Sequence, residues 1–335
     1  MIKITDKSRL FVWGNSYGIH SGGAEVLNMF CSKMKSLGAN VAMFNYGHPD
    51  KFQQTDFYKE MYDINCAGTY ELEDVEDNII MYPELMFEGE DFVNSSMNFK
   101  HAQIIVWWLG TGFDYADKSI KTSKRKVMDL MKRYRGRMLH LCESELAMRD
   151  LLYYGIEERC IFQHPVHSIF YNTPKLCDKT PTVFYNGLKG TNKAFVEEQI
   201  IPRLPDINFE TVSWSNAYKT KAEMCSLYDK SKVYIDFCEF EGREMMPREA
   251  CLRDCILLLN NRGNAATFDD YPLDDYYKIN MYTNPDEIAE KIRYCVYNYD
   301  NLISDMSFIK NKFMFEPMKW EWEIENIFHP MLNKV

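Results

Sequence analysis

Short apolar runs alternate with segments of helical periodicity along this sequence, and the alternation occurs in both halves. In the first half, the apolar run at residues 9–13 ends at Gly14. Apolar side chains between Ala24 and Leu37 then fall on one helical face, and Gly38 follows. Buried strands of parallel sheets have continuous apolar runs, and glycine commonly follows the last turn of a helix. The alternation therefore predicts an α/β chain with mostly parallel sheets and helices on both faces.

The predicted strands fall into two groups, separated by a stretch without clear periodicity. They cover residues 9–13, 40–44, 78–82, 103–108, 137–141 and 159–162 in the first group, and 182–186, 207–213, 232–237 and 255–259 in the second. The intervening stretch contains prolines and turn sequences, which are typical of a linker. We therefore predict two doubly wound, Rossmann-like domains that face a cleft. The predicted segments are a first domain at 1–165, a linker at 166–181, a second domain at 182–315 and, at 316–335, a C-terminal helix that packs back on the first domain.

The composition fits a globular protein with two cores. The chain has 335 residues, of which 46% are hydrophobic. Its net charge of −10 disfavours nucleic acid as a partner, because an acidic surface repels phosphate backbones. One dense basic run, at residues 121–126, is interpreted as a solvated helix face.

The sequence also predicts a cytoplasmic location. No apolar stretch precedes Leu10, and no window approaches the roughly 18 apolar residues of a membrane span. At most a peripheral membrane contact is expected. The ten cysteines are scattered, and the spacing of Cys251 and Cys255 lacks the second pair or histidine of a zinc site. They are therefore expected to be free thiols in a reducing compartment.

Three loops that follow predicted strands carry residues suited to a ligand. The first has the sequence Ser21-Gly22-Gly23-Ala24-Glu25 and precedes the first predicted helix. Glycines there let the backbone approach a ligand, and a helix N-terminus favours anions. The spacing differs from the G-x-G-x-x-G pattern of dinucleotide sites, so NAD is not expected. A plain tight turn is the alternative interpretation.

The second loop follows the predicted strand at 232–237. Glu241 and Glu249 are separated by seven residues there, with Arg243 and Arg248 between them. A carboxylate can accept hydrogen bonds from a ribose diol, and arginine can bind phosphate oxygens. The alternative is an ordinary helix start whose acidic residues complement the helix dipole.

The third loop, after the predicted strand at 182–186, contains two lysines. Lys189 and Lys193 lie beside Gly187 and Gly190. Two ammonium groups on such a loop can neutralise a diphosphate leaving group and so stabilise charge that develops in the transition state. A solvated surface loop is the alternative.

Together, the Gly-Gly-Ala-Glu turn, the lysine loop and the Glu-x7-Glu element resemble those of retaining GT-B glycosyltransferases. These include bacterial enzymes of lipopolysaccharide, capsule and glycan synthesis. The closest local similarity is the strand at 233–237 followed by Pro247-Arg248-Glu249-Ala250. The chain departs from the family where the usual Gly-Arg-Leu sequence of the phosphate loop is Gly187-Leu188-Lys189, which lacks the arginine.

The resemblance implies roles for individual residues. Glu249 would bind the donor ribose, Glu241 would contact the transferred sugar, and the lysines or Arg243 would bind the diphosphate. The implied catalytic residues are Glu241, Lys189 and Lys193, and the implied donor-binding residues are Gly22, Gly23, Arg243, Arg248 and Glu249. Glu239 and Glu244 flank Glu241. The assignment of Glu241 as the first glutamate of the element is therefore less defined than the assignment of Glu249 as the second.

Two further residues are acceptor-side candidates. His20 lies beside the glycine loop, and Asp114 follows the aromatic segment at 107–113, which begins at the end of a predicted strand. Asp114 could hold an acceptor hydroxyl, and His20 could act as a base. The alternatives are a neutral surface histidine and tryptophans that pack in the core.

The activity implied is transfer of a sugar from a nucleotide-diphosphate sugar, which is a substrate rather than a cofactor, to a carbohydrate or glycolipid acceptor. The anomeric configuration would be retained. No Asp-x-Asp triplet for a divalent ion is present, so no metal is expected if lysine and arginine replace the cation. The first domain would bind mainly the acceptor and the second mainly the nucleotide, with domain closure excluding water.

Other functions remain open on the same architecture. They are a nucleotide-sugar epimerase or phosphorylase, a catalytically silent GT-B module that binds nucleotide or serves as a scaffold, and a transferase that adds sugar to DNA. The net charge of −10 disfavours the last of these.

Overall fold

A computed structural model of the protein describes residues 2–15, 21–48, 50–87, 99–111, 129, 131–132, 136–212 and 219–332. The chain forms two compact units. The first comprises Met1–His164 with Lys319–Val335, and the second comprises Pro165–Met318. The basic run at 121–126 and the acceptor-side candidates His20 and Asp114 lie outside the described residues.

The first unit is built on a parallel sheet. Its described strands are β1 (Arg9–Trp13), β2 (Val41–Phe44), β3 (Asn78–Pro83), β4 (Gln103–Trp108), β5 (Met138–Cys142) and β6 (Arg159–Ile161). They lie in the order β2-β1-β3-β4-β5-β6, and every pairing is parallel. The described helices of this unit include α1 (Gly22–Ser36), α2 (Asp56–Lys59) and α3 (Glu145–Tyr153).

The second unit has a smaller parallel sheet. Its described strands are β7 (Thr180–Asn186), β8 (Asn208–Val212), β9 (Ser231–Asp236), β10 (Ile256–Asn260) and β11 (Lys278–Ile279), in the order β11-β10-β9-β7-β8. Its helices include α4 (Ile169–Asn172), α5 (Gly190–Phe195), α6 (Lys221–Lys230), α7 (Met245–Leu252), α8 (Pro285–Tyr297), α9 (Tyr299–Leu302) and α10 (Ser307–Met314). The final helix, α11 (Glu316–Phe328), begins in this unit and continues into the first.

Local sequence explains where several helices begin. Ser21 caps α1 by accepting the N–H of Ala24 at 3.3 Å, and Ser144 caps α3 in the same way. At α6, Thr220 and Glu223 form a reciprocal capping box. These side chains satisfy N–H groups that have no partner within the helix. None of the helices in the described ranges combines the length and apolarity needed to cross a bilayer. All ten cysteines are free thiols.

Aromatic side chains fill the core of the first unit. Trp107 and Trp108 are fully buried, which supports the core interpretation over a ligand platform. Phe30 packs edge-on against Trp107 at a ring distance of 5.4 Å, and Phe328 of α11 packs against the same Phe30 at 5.6 Å. The last helix therefore covers this core with its aromatic face.

The segment predicted as a linker is part of the second unit. Val166 and Phe170 are buried in its core, and β7 already begins at Thr180. Arg253 donates to the carbonyl oxygens of Thr173 (2.5 Å) and Pro174 (3.1 Å). These contacts involve residues about 80 positions apart, so local periodicity gives no sign of them.

One glycine holds the loop after β9 close to the loop after β10. Gly263 has φ 59° and ψ −141°, a region open essentially to glycine alone, and it pairs with Phe240. A Cβ atom at Gly263 would lie 2.2 Å from the Phe240 carbonyl oxygen. This backbone contact fixes the position of Phe240, which directly precedes the Glu-x7-Glu element.

We expect Gly263→Ala to lower the free energy of unfolding by about 3 kcal/mol, because strain and backbone overlap add. Gly136→Ala is the matched control, since φ there is 86° but nothing lies within 4 Å of the added Cβ. Its expected cost is about 1–2 kcal/mol. Thermal unfolding of both variants measures the difference, and equal Tm values would show that the Phe240 contact is unimportant.

Candidate functional site

Polar side chains join the carboxyl ends of β7 and β9, which are neighbours in the second sheet. Asn186 ends β7 and donates its amide to Asp236, which ends β9, at 3.0 Å. The same carboxylate accepts the Tyr234 hydroxyl at 3.1 Å and the Cys238 N–H at 3.0 Å. These groups are buried, and breaking such bonds would leave unsatisfied polar atoms at a high cost. The two strand ends are therefore fixed relative to each other.

Asn192 connects the loops that follow these strands. Its side-chain nitrogen donates to the Asn186 backbone carbonyl oxygen at 2.6 Å. Its side-chain oxygen accepts the Phe237 N–H at 2.9 Å. The loops at 187–190 and 237–244 are thereby held together at the carboxyl edge of the sheet. Open parallel α/β sheets bind their ligands at this edge.

The lysine loop contacts the Glu-x7-Glu element directly. Lys189 precedes α5, and its ammonium lies 2.6 Å from Glu244 Oε1. Burial alone would lower the pKa of Lys189, but the charges of Glu244 and Asp236 outweigh it and the pKa is raised. The lysine stays charged, and about a third of its side chain is exposed. An ion pair this accessible contributes little stability, so a phosphate can replace the glutamate.

Lys193 is held in a similar way by Glu197, one helical turn away. The pKa of Glu197 is lowered because Lys193 and the Tyr185 hydroxyl both donate to its carboxylate. Burial and the Glu197 carboxylate in turn raise the pKa of Tyr185 to about 12. The i,i+4 pair of Lys193 and Glu197 is part-exposed and therefore also exchangeable.

Two arginines of the Glu-x7-Glu element are buried and contact the same carboxylate. The side chains of Arg243 and Arg248 have no exposed surface, and both pair with Glu316, whose Oε2 lies 3.0 Å from Arg248 Nη1. Arg248 also donates to the carbonyl oxygens of Arg243 (2.9 Å) and Glu244 (3.2 Å). Both arginines thus contact the Glu316 carboxylate, and Arg248 also supports the loop from inside through two backbone carbonyl oxygens. The donor-binding role of the two arginines stays a prediction.

The two glutamates of the motif lie in different environments. Glu249, on α7, is 3% exposed and accepts the Tyr228 hydroxyl at 2.9 Å on Oε2. Its Oε1 lies 3.6 Å from the Lys221 ammonium. Glu241 is exposed. Burial, then the Glu249 charge, raises the pKa of Tyr228, so the hydroxyl keeps its proton and continues to donate to Glu249.

The glycine loop is placed in the first unit. Gly22 and Gly23 are the first two residues of α1, and Ser21 caps that helix. Gly22 is exposed and Gly23 is half-buried. Their donor-binding role stays a prediction.

Several residues of this site were not predicted as such. They are Asn186, Asn192, Tyr228, Asp236 and Glu316. Asn186 and Asp236 could have been found, because Asn186 ends the predicted strand at 182–186 and Asp236 is the last but one residue of the predicted strand at 232–237. Glu316 is 68 positions from Arg248, and no local pattern connects the two.

No protein-family model matches the chain, and no curated protein matches it either. Solved structures do match, among them a mutant of S. aureus TarM in complex with fondaparinux, α-GlcNAc-glycerol and UDP, with 15% identity and a TM-score of 0.56. The match covers 78% of this chain and 57% of the TarM chain, so this chain spans little more than half of TarM.

Two other similar structures match over nearly the full length. T4 phage β-glucosyltransferase in complex with UDP-glucose has 10% identity and a TM-score of 0.53, covering 97% of this chain and 100% of its own. A UDP-forming α,α-trehalose-phosphate synthase from Burkholderia xenovorans, in complex with glucose-6-phosphate, has 9% identity and a TM-score of 0.57, covering 96% and 100%. These neighbours are GT-B glycosyltransferases. Together with the two parallel-sheet units, they confirm that this chain has the GT-B fold.

Proposed function

We propose that the protein is a glycosyltransferase that moves a sugar from a nucleotide-diphosphate sugar to a hydroxyl group of a carbohydrate or glycolipid acceptor, in surface-polysaccharide or glycan synthesis. One observation carries the proposal. The lysine loop and the Glu-x7-Glu element meet through Lys189 and Glu244 at the carboxyl ends of the adjacent strands β7 and β9. Positive groups for a diphosphate and carboxylates for sugar hydroxyls are thus on one sheet edge.

In this proposal the donor diphosphate displaces carboxylates that already neutralise the lysines. Lys189 exchanges Glu244 for a phosphate oxygen, and Lys193 exchanges Glu197. Both ammonium groups then stabilise the charge that develops as the bond between the sugar and the diphosphate breaks. The acceptor oxygen forms the new bond on the same face of the sugar, and its proton passes to the departing phosphate.

The glutamates bind the hydroxyl groups of the donor. We assign Oε1 of Glu249 to the ribose diol, in exchange for the long contact to Lys221, while Tyr228 keeps Oε2 in place. Exposed Glu241 contacts the transferred sugar. Arg243 and Arg248 support the loop that carries these residues.

The nucleotide is inferred to be UDP, because UDP or UDP-glucose is bound in two of the similar structures and a third enzyme is UDP-forming. Retention and independence of metal are proposed from the Glu-x7-Glu element and the lysine pair. Independence of metal is tested directly below, because one structure of T4 phage β-glucosyltransferase contains UDP and Mn²⁺. A cytoplasmic location is proposed with them, and the ten free thiols support it.

Release of UDP from UDP-glucose and UDP-N-acetylglucosamine, with and without simple sugar acceptors, tests the proposal. We expect turnover with at least one donor, unchanged in excess EDTA, and an α-linked product from an α-linked donor. Nucleotide binding without turnover of any donor would instead favour a catalytically silent module. Loss of turnover in EDTA would contradict metal independence.

A further inference from the structure

Exposed apolar side chains concentrate on one surface of the second unit. Phe308 of α10, Phe315 between α10 and α11, and Met318 of α11 are 66%, 60% and 64% exposed. Phe268, in the loop after β10, is 61% exposed, and its ring stacks on that of Phe308 at a centroid distance of 6.3 Å. With Met314, which is 44% exposed, these residues form a group that we call the Phe308 patch. The proposed donor site uses none of them.

The helices that carry the patch are apolar on their inner face as well. Ile309 and Phe313 of α10 are fully buried in the core of the second unit. Phe315 keeps helical dihedral angles, and its N–H donates to carbonyl oxygens of the preceding turn, so the helical path continues from α10 into α11. Positions 308, 315 and 318 therefore fall on one outward face. A helix with apolar side chains on all sides is normally covered on all sides, so this outer face is expected to have a partner.

The patch is held in place by contacts beneath it. The Lys312 ammonium, on α10, donates to the carbonyl oxygen of Asp269, the residue that follows Phe268. Lys278, on β11, donates to the Ala266 carbonyl oxygen at 3.3 Å. The loop that carries Phe268 is thereby attached to both neighbouring elements. A surface that is ordered in advance loses less conformational entropy when a partner binds.

The size of the patch matches what a stable dimer needs. At the exposures given above, the three phenylalanines present roughly 300–450 Å² of aromatic surface, and the two methionines add to it. A standard interface buries about 800 Å² on each partner, and about 65% of a homodimer interface is apolar. The apolar part is thus about 500 Å² on each copy, close to what the Phe308 patch presents.

The charges at the border of the patch favour a second copy of the chain over a lipid surface. Asp269 and Asp305 are exposed, and Lys312 lies between Phe308 and Phe315. Binding to anionic lipid requires a predominantly basic border, and the net charge of −10 opposes it. A twofold contact brings the same mixed border from both copies, so that a lysine of one copy can face an aspartate of the other.

We propose that the Phe308 patch is the interface of a twofold homodimer, in which the outer face of α10 and the start of α11 packs on the same face of a second copy. The stacked rings of Phe268 and Phe308 are the aromatic anchors of this interface. The proposal is independent of the proposed sugar transfer, because it uses a different surface and predicts an assembly rather than a reaction.

Sedimentation velocity of the full chain over a range of micromolar concentrations tests the proposal. We expect the wild type to sediment as a dimer. Phe308→Glu should raise the dimer Kd by about 100-fold or more, because two like charges then face each other in the interface. Met318→Glu, at the other end of the patch, should do the same. Leu152→Glu is the matched control, since Leu152 is an exposed apolar residue on α3 of the first unit, and it should keep the dimer.

Thermal unfolding shows whether each variant is folded, as is expected for substitutions at exposed positions. A wild type that stays monomeric at every concentration would overturn the proposal. So would a dimer that both Phe308→Glu and Met318→Glu leave intact, because another surface would then form it. Sedimentation with vesicles of phosphatidylcholine and phosphatidylglycerol tests the lipid alternative. If a monomeric wild type binds the vesicles and Phe308→Glu does not, the patch faces lipid and the dimer is refuted.

Discussion

Replacing Glu316 with alanine is expected to lower the free energy of unfolding of the second unit by about 3–5 kcal/mol, the range for removing one partner of a buried ion pair. The variant would remove the carboxylate that both arginines contact, and neither arginine side chain has exposed surface through which water could replace it. Two N–H groups of Arg243, Nε and Nη1, already have no hydrogen-bond partner among the described residues. For a unit of this size the change corresponds to a fall in Tm of roughly 10 °C.

Glu321→Ala is the matched control on the same helix. Glu321 also pairs with a cation, Lys33 at 2.5 Å, but 58% of its side chain is exposed, so its loss should cost about 1 kcal/mol or less. Calorimetry of both variants measures the difference. Similar Tm values for the two variants would mean that the contacts of Arg243 and Arg248 with Glu316 do not stabilise the second unit.

Lys189→Ala is expected to weaken UDP binding by roughly 100-fold. A hydrogen bond to a charged group contributes about 1.5–3 kcal/mol, which is roughly 10- to 150-fold in affinity. The loss lies toward the upper end because the substitution also removes the positive charge that faces Glu244, and this carboxylate then repels the diphosphate. Lys189→Arg should recover part of the affinity, since the positive charge is restored.

Lys230→Ala is the control for this experiment. The Lys230 ammonium lies 2.5 Å from Glu210 Oε1, close to the 2.6 Å between Lys189 and Glu244. About a third of the side chain is exposed in both lysines. It precedes β9, at the opposite end of the strand from Asp236. Titration calorimetry should show unchanged UDP affinity for this variant. An equal loss in both variants would indicate a general effect of net charge rather than a phosphate contact.

The sequence was sufficient to predict the fold because its pattern is local. Each strand of a parallel sheet is covered on both faces and therefore appears as an unbroken apolar run, as at β3, β4 and β10. Glycine supplied a boundary, as Gly38 does after the first helix. The two parallel-sheet units and the similar solved structures confirm the predicted GT-B fold.

The candidate site was predicted only in part, because its geometry depends on contacts between distant residues. The pattern placed Lys189 in the loop after β7 and Glu249 in the first turns of the helix that follows β9. The burial of Arg243 and Arg248 was not, since their partner Glu316 lies at the start of the last helix.

Binding of nucleotides to the folded protein is the direct test of a donor site in the second unit. UDP, GDP, CMP and dTDP would be compared by thermal shift on the wild type and on Glu249→Gln, which keeps the side-chain shape but removes its charge. A nucleotide at about 100 times its Kd should stabilise the protein by roughly 2.7 kcal/mol. We expect a clear rise in Tm with UDP that is lost in Glu249→Gln. No shift with any of the four nucleotides, in wild-type protein shown to be folded, would contradict a donor site in the second unit.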